Sequence, residues 1–208
     1  GFSPQQIARW PHVHKHLSGT LELPKIEEIS EEVILNIGEG IEAMLKSEGP
    51  STKQLKVRNG LFQHLKRTLE GRFKNATLQQ FGSSQSGLTL QAGDLDLCLQ
   101  FKGDVPAKAL RQVNRILKQH DMQDILMLPR AKVPIIKFKD ERTKIPVDIS
   151  INNTLALHNT ELLKRYSGCD DRIRTMILAV KHWALRRDVC DAASGTFSSY
   201  AWTLLAVQ

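Results

Sequence analysis

Residues 94–101 read Asp-Leu-Asp-Leu-Cys-Leu-Gln-Phe, and this stretch decides the fold class. Its apolar residues alternate strictly with aspartate, cysteine and glutamine, which is the two-residue period of a half-buried β-strand. The leucines therefore belong to a core, and Asp94 and Asp96 project from the opposite face. Residues 146–151, Pro-Val-Asp-Ile-Ser-Ile, repeat the pattern and place Asp148 on the polar face of a second strand.

Helices and further strands are predicted around these two strands. Apolar residues recur at helical spacing in four places, about 27–46, 52–73, 106–120 and the region after 159. Two more strands and one Gly/Ser-rich turn are predicted at 77–81, 132–139 and 82–87. This order of helices, mixed strands and helices is typical of an α+β catalytic domain flanked by a helical domain.

Composition sets broad limits. The chain has 208 residues, of which 41% are hydrophobic and 25% charged, so it is globular with one large core or two small ones. A formal net charge of +7 favours polyanionic partners, although many soluble domains are mildly basic. Charge alone therefore leaves nucleic-acid binding open.

Cysteine usage and hydropathy favour an intracellular protein. The three cysteines are scattered and form no CxxC pair, which argues against a disulfide framework or structural zinc and for a reducing compartment. No run approaches the roughly 20 apolar residues of a membrane helix. The chain starts at Gly1 and stops inside the apolar run 201–207, so we expect the natural protein to continue.

The aspartates form a candidate metal site. Residues two apart on a strand lie about 6.6 Å apart along its axis, so Asp94 and Asp96 can serve one site. Adjacent carboxylates are unfavourable without a cation or proton, and Mg²⁺ prefers their oxygens. If the two strands pair, Asp148 joins them, and three carboxylates can hold two metals for phosphoryl transfer. The alternative is that these are polar positions on exposed strand faces.

Two other features have both a functional and an ordinary interpretation. Gly82 and Ser83 could bring backbone N–H groups and a hydroxyl close to a phosphate, or could form a plain connector. The helix at 52–73 has a basic face that is either simply solvated or in contact with a phosphate backbone. Its members are Lys53, Lys56, Arg58, Lys66, Arg67, Arg72 and, just beyond, Lys74.

The motifs together resemble a known family. Phe81-Gly82-Ser83, Gly93-Asp94-Leu95-Asp96-Leu97 and the later Asp148 resemble the DNA polymerase β-like nucleotidyltransferase superfamily. Five more stretches narrow this to the terminal uridylyltransferases and non-canonical poly(A) polymerases, namely 130–137, 148–153, 155–160, 180–184 and 195–200. The resemblance covers about residues 55–208.

The resemblance implies a two-lobed architecture with the active site in the cleft. Residues 55–157 would form the nucleotidyltransferase catalytic domain, a mixed sheet with flanking helices. Residues 158–208 would begin a mainly helical central domain that is incomplete here. Residues 1–54 would form an N-terminal segment and a helix packed on the helical domain.

The resemblance also implies site residues. Metal ions, Mg²⁺ or Mn²⁺, would be held by Asp94, Asp96 and Asp148. The nucleotide would be bound at its phosphates by Gly82, Ser83, Lys181 and Ser199, near the ribose by Asn153 and Asn159, and at the base by Tyr200. The alternative for Tyr200 is that it is an aromatic residue of the core with a hydrogen-bonded hydroxyl. Apart from the resemblance, RNA contacts are expected from Arg130 and Lys132, because they come just before a strand that borders the site. Family members often carry a second basic residue one turn after Lys181, where this chain has Leu185.

The implied activity is template-independent addition of UMP from UTP to RNA 3′ ends, with ATP-dependent poly(A) synthesis as the alternative. An inactive relative that binds only RNA or protein, and an enzyme for a small-molecule acceptor or primer-free oligonucleotide synthesis, are the other hypotheses. The partners would be an RNA 3′ end and a nucleotide, without a membrane. The expected compartment is the cytoplasm, ahead of the mitochondrion.

Overall fold

The computed structural model describes residues 29–90, 93–106 and 108–208. Most of the predicted N-terminal segment, including the first residues of the helix predicted at 27–46, lies outside the described residues. The chain divides into two compact units, Gly1–Gly40 and Ile41–Gln208. The sheet and all predicted site residues belong to the second unit.

A mixed five-stranded sheet with flanking helices confirms the α+β class. The described helices are α1 Glu31–Glu48, α2 Thr52–Arg72, α3 Ser83–Ser86, α4 Ala109–Lys118, α5 Thr154–Cys169, α6 Asp171–Arg186 and α7 Ser199–Ala206, with a 3₁₀ turn at Ala192–Ser194. The strands are β1 Ala76–Phe81, β2 Leu95–Phe101, β3 Met122–Leu128, β4 Ile135–Asp140 and β5 Pro146–Ile151. None of the described helices is long and apolar enough to cross a membrane.

The sheet has the strand order β1-β2-β5-β4-β3. Strands β2 and β5 run parallel, and every other neighbouring pair is antiparallel. This order places the two aspartate-bearing strands side by side at the centre of the sheet, as the predicted carboxylate cluster requires.

The structure differs from the sequence-based prediction in three elements. Strand β3 was not predicted, because its apolar residues do not alternate. A register shift between Gln123 and Leu126, with Asp124 at φ 52°, breaks the period on this edge strand. A single helical turn, α3, lies within the predicted turn 82–87, and α5 already begins at Thr154.

One face of the sheet is covered by α2 and α4. A capping box starts α2, since Ser51 Oγ accepts from the Gln54 N–H and the Gln54 side chain accepts from the Ser51 N–H. The helix then buries leucines at helical spacing on the leucine face of the central strands. The main members of this core are Leu61, Leu65, Leu69, Leu95, Leu97, Leu99, Val113, Leu117, Val147 and Ile149.

A second, smaller core joins the helical residues to the segment after α3. Leu88 and Leu90 pack with Ile177 and Leu178 of α6, and Leu45 near the end of α1 contacts this cluster. Arg186 Nη2 also lies 3.0 Å from Glu48 Oε1, which ties the end of α6 to the end of α1. The polar face of the sheet therefore lies beside a helical layer with its own core.

The burial of Leu97 in β2 predicts a clear difference in stability between variants of buried and exposed leucines. Leu97 is fully buried, so Leu97→Ala should lower the free energy of unfolding by about 2–5 kcal/mol, through lost burial and the cavity that remains. Leu55→Ala, at a position that is 49% exposed, is the matched control and should change it by less than about 0.5 kcal/mol. Urea unfolding followed by circular dichroism measures both. Equal losses would contradict the assignment of Leu97 to the core.

Candidate active site

Strand pairing brings the predicted carboxylates together. Asp96 of β2 and Asp148 of β5 are directly paired in the parallel register, and Asp94 immediately precedes β2. Neighbouring strands lie about 4.8 Å apart, so the Asp96 and Asp148 side chains rise next to one another from the polar face. The spacing of the motifs therefore corresponds to one cluster in space.

The cluster holds an excess of negative charge. Burial, followed by the Asp148 and Asp94 carboxylates, raises the pKa of Asp96 to about 7. Burial and the Asp148 carboxylate also raise the pKa of Asp94 above its usual value. A raised carboxyl pKa means that the ionised form is poorly stabilised by the protein alone. The cluster is therefore suited to a cation.

One cation is already present in the site as a side chain. Lys137 of β4 is paired with Asp148 in the antiparallel register, and its ammonium forms an ion pair with Asp148 Oδ2. Across the described residues, no three His, Cys, Asp or Glu side chains lie close enough to form a ready metal-ligand set. The oxygen donors and their charge fit a divalent metal, which would have to displace Lys137 from Asp148.

Gly82 lies directly against the carboxylates. Its φ of 72° and ψ of −154° are accessible essentially to glycine alone. A Cβ at this position would overlap Asp96 Oδ2 and lie 3.1 Å from Asp96 Cγ. The Gly82 N–H donates to Thr160 Oγ1 at 2.8 Å, and the Thr160 hydroxyl donates to the Ala156 carbonyl at 2.7 Å. The sequence analysis gave Thr160 no role, although it anchors this loop to α5.

A cavity of about 510 Å³ opens beside the carboxylates. Most of the predicted nucleotide-binding residues line it, together with apolar side chains such as Leu88, Leu163 and Leu185. The predicted residues in its wall are Gly82, Ser83, Asp94, Asp96, Asn159, Lys181, Ser199 and Tyr200. Asp148 and Asn153 are not part of this lining. The volume lies in the usual range for small-molecule sites.

Lys181 provides the cavity with a cation. It lies on α6, and its Nζ donates to the Leu88 carbonyl at 3.0 Å. Burial lowers the pKa of Lys181, while nearby Cys190 and Asp96 act in the opposite direction. An ammonium has three donors, so hydrogen-bonding capacity remains for a ligand.

The start of α7 completes the wall. The Ser198 side chain caps this helix by accepting from the Ala201 N–H at 3.2 Å. Ser199 Oγ lies 3.1 Å from Cys190 Sγ, and the Tyr200 hydroxyl donates to Asn159 Oδ1 at 3.4 Å. Both predicted residues of this helix therefore have weak partners and face the cavity.

Asn153 lies at the end of β5, away from the cavity lining. Its side-chain oxygen accepts from the Ala156 N–H at 3.2 Å and caps α5. Its backbone N–H donates to Cys98 Sγ at 3.2 Å. This local role accounts for an asparagine here, and the predicted ribose contact stays a prediction.

Arg130 and Lys132 lie on the exposed connection between β3 and β4. Leu128 and Ile135, which flank that connection, are in register with Ser150 near the end of β5. Asp148 lies only two residues before Ser150 on β5, so this connection leaves the sheet about 6.6 Å along the strands from the level of Asp96 and Asp148. The RNA contacts of Arg130 and Lys132 stay a prediction.

Arg58 is a site residue that the sequence analysis missed. It was grouped with the basic face of α2, but it is buried, and its guanidinium donates to the carbonyls of Gly93 and Asp94. Burial lowers the pKa of Arg58, while the Asp94 and Asp96 carboxylates raise it. Arg58 therefore holds the chain as it enters β2. Only its position one turn before Leu61 and two turns before Leu65, on the inner side of the helix, could have indicated this.

The sequence matches a known protein family over most of this unit. Residues 37–168 match the family described as "Poly(A) RNA polymerase, mitochondrial-like, central palm domain". The match covers the carboxylates, the Gly82–Ser83 loop and the sheet.

The similar proteins are named either as terminal uridylyltransferases or as poly(A) RNA polymerases. Over 169 residues, 78% of this chain, it is 36% identical to terminal uridylyltransferase 7 of Homo sapiens, and this covers 11% of that protein. Over 162 residues, 76% of the chain, it is 34% identical to poly(A) RNA polymerase cid11 of Schizosaccharomyces pombe, covering 34% of it. The chain thus spans about a third or less of these relatives.

Solved structures agree with the fold. The Cid1 poly(U) polymerase, in a structure with Mg and 3′-dATP bound, superposes with a TM-score of 0.76 at 33% identity, over 82% of this chain and 54% of that one. A cytoplasmic RNA terminal U-transferase gives a TM-score of 0.75 at 32% identity, over 82% and 53%. The chain belongs to the family of poly(A) RNA polymerase, mitochondrial-like, central palm domains.

Proposed function

We propose that this chain is the catalytic unit of a template-independent RNA 3′-terminal nucleotidyltransferase that transfers UMP from UTP. The observation that carries this proposal is the register of Asp96 with Asp148, beside a cavity that contains Ser83, Lys181 and Tyr200. Carboxylates for metals and donors for phosphates thus adjoin one another in a single site.

Asp94, Asp96 and Asp148 would hold the divalent metal, for which Mg²⁺ is the first candidate because it accompanies nucleotides in Cid1 structures. When bound, the metal would activate the attacking hydroxyl and offset charge on the phosphates. Arg58 would fix the Gly93–Asp94 backbone, so that the carboxylate pair is held in place before substrate arrives.

The cavity residues would bind and orient the nucleotide. Ser83, Lys181 and Ser199 would donate to the triphosphate, and the glycine at position 82 would leave room for it beside Asp96. Tyr200 would stack on the base, which suits any base and so gives little selectivity. The Asn159 carboxamide, beside the Tyr200 hydroxyl, would meet the ribose.

The reaction would be an in-line displacement at the α-phosphorus. The RNA 3′-hydroxyl releases its proton to solvent water, and its oxygen forms a bond to that phosphorus. The bond from the phosphorus to the oxygen shared with the β-phosphate breaks, and pyrophosphate leaves. Positioning and electrostatic stabilisation supply most of the acceleration in such transfers.

UTP is favoured over ATP by the resemblance of 155–160 and 181–184 to uridylyltransferases and by the uridylyltransferase relatives. ATP is the alternative, because the poly(A) RNA polymerases cid11 and cid13 are 34% identical over similar stretches. The cytoplasm is the proposed compartment, as named for one structural relative.

The activity is tested by extension of a labelled RNA primer with each nucleoside triphosphate separately, in Mg²⁺ and in Mn²⁺. A bound nucleotide would meet both the carboxylates and the phosphate donors, so we expect extension to require primer and metal. Because of the resemblance to uridylyltransferases, we expect UTP to be used most efficiently. Preference for ATP would select the alternative. Product formed equally well without primer would contradict the proposal.

Asp94→Asn and Asp96→Asn test the catalytic assignment in the same assay. Each should slow extension by at least about 100-fold, because a charged oxygen ligand is lost with little change of shape. Asp104→Asn, at an exposed aspartate on the β2–α4 connection, is the control and should extend normally. Unchanged extension in both site variants would refute the assignment.

The raised pKa of Asp96 also predicts that the stability of the folded protein depends on pH. The folded protein keeps the Asp96 proton up to about pH 7, whereas the reference carboxyl releases it near pH 3.8, so metal-free wild type loses stability as pH rises across this window. Asp96→Asn removes the loss. In EDTA at pH 8 it should raise the Tm by roughly 3 °C or more, with a smaller gain near pH 5. Scanning calorimetry measures both, and a lowered Tm at pH 8 would oppose this account.

Gly82→Ala tests the close approach of the loop. The added Cβ would overlap the Asp96 carboxylate, so extension should fall by at least about 100-fold while the chain remains folded. Gly71→Ala is the control, because nothing lies within 4 Å of its Cβ, and it should retain activity with a gain of about 0.4–1 kcal/mol in stability. Full activity of Gly82→Ala would show that the loop is not part of the site.

A further inference from the structure

The sheet face opposite the carboxylates carries an unusual concentration of positive charge. Helices α2 and α4 cover this face, and Glu70 is the only carboxylate in either helix. Glu70 is paired with Lys66 at 3.3 Å. The remaining exposed cations of the two helices have no carboxylate partner among the described residues, namely Lys53, Lys56, Arg67, Arg72, Arg111, Arg115 and Lys118.

These cations are arranged in rows. On α4, Arg111, Arg115 and Lys118 follow the i, i+4, i+7 spacing of one helix face, and the apolar residues of α4 are buried on the other. On α2, Lys53, Lys56 and Arg67 share the outward side, away from the buried leucines. Cations presented on two helices that line the same cleft suit the repeating negative charge of a nucleic-acid backbone.

Between the two helices lies a cleft of about 300 Å³. Arg72 and Arg115 line it, and the other lining residues are Thr68, Gln112, Ile116, Gln119 and His120. The rings of His64 on α2 and His120 just after α4 contact each other edge to face, with centroids 5.7 Å apart. The cleft therefore offers two guanidinium groups and several neutral donors, and none of the described residues in its lining carries a carboxylate. Guanidinium groups bind phosphate through paired hydrogen bonds.

We propose that this α2–α4 face binds the phosphate backbone of the RNA upstream of its 3′ end. The identity of the RNA as the substrate rests on the proposed function, whereas the binding of RNA to this face does not. The carboxylates lie on the opposite face, so an RNA that reaches both must pass around the edge of the sheet. The described residues that line the cleft include no Phe, Tyr or Trp on which a base could stack, so the contacts expected here are those of the two guanidinium groups with phosphates.

The test compares charge reversal on this face with charge reversal elsewhere. The variant Arg72→Glu/Arg115→Glu changes the cleft. Lys46→Glu/Lys164→Glu, on exposed positions of α1 and α5, makes the same change in net charge as a control. Arg72→Gln/Arg115→Gln repeats the test with neutral polar side chains. Circular dichroism and the Tm establish that each full chain is folded.

Fluorescence anisotropy with a labelled RNA of about 30 nucleotides measures affinity across a salt series. The cleft variants should bind at least about tenfold more weakly than wild type. The slope of log affinity against log salt should fall by about 1.4 for two lost single-strand phosphate contacts. The control should stay within about twofold of wild type once the general charge effect is included.

Comparing a short primer with a long one distinguishes RNA binding at this face from RNA binding at the active site. An RNA of about 4 nucleotides, roughly 14 Å long when stacked at 3.4 Å per nucleotide, is expected to occupy the active site without extending around the sheet to the α2–α4 face. The cleft variants should therefore extend the short primer like wild type and extend the long one less efficiently at limiting RNA. Loss of extension on both primers alike would overturn the proposal.

Two other outcomes would also overturn it. Equal affinity and equal salt slope for the cleft and control variants would show that the face does not bind RNA. Loss of binding to phosphatidylserine vesicles with RNA binding intact would assign the face to a lipid surface instead. Absence of extension with every nucleotide, beside cleft-dependent RNA binding, would refute the proposed function and leave this inference standing.

Discussion

The parallel pairing of β2 with β5 is the constraint on which the rest of the site depends. It places Asp96 beside Asp148 in a partly buried position, where burial, followed by the Asp148 and Asp94 carboxylates, raises the pKa of Asp96. The paired carboxylates do not stabilise the fold, because the leucine faces of the same strands would form the core equally well with neutral polar residues on the opposite face. Lys137 offsets part of this cost through its ion pair with Asp148, and a divalent cation bound by the carboxylates would offset more of it.

Around this pair, the structure uses backbone contacts to set the position of the loops. Arg58 holds the carbonyls that lead into β2, and Thr160 holds the N–H of Gly82 against the carboxylate. Both contacts join segments that are distant in the chain, so the sheet layer and the helical layer each contribute to the geometry of one site. Catalytic geometry therefore depends on how well these two anchors are kept.

The sequence was sufficient where a local pattern carries the information. Alternation in 94–101 and 146–151 gave both central strands, and motif resemblance gave the family. It failed at β3, where a register shift removes the alternation, and at Arg58, where a guanidinium on a basic helix turns inward to bind carbonyls. Partners of this kind are set by tertiary structure and leave no periodic signal.

The central claim is that these carboxylates bind a metal in order to bind and activate a nucleotide. Its most direct measurement is calorimetric titration of a non-hydrolysable UTP analogue with and without Mg²⁺, in wild type and in Asp94→Asn/Asp96→Asn. The account predicts that Mg²⁺ strengthens binding to wild type by at least about tenfold, or roughly 1.4 kcal/mol, and has little effect on the double variant. An equal effect of Mg²⁺ on both proteins would contradict it.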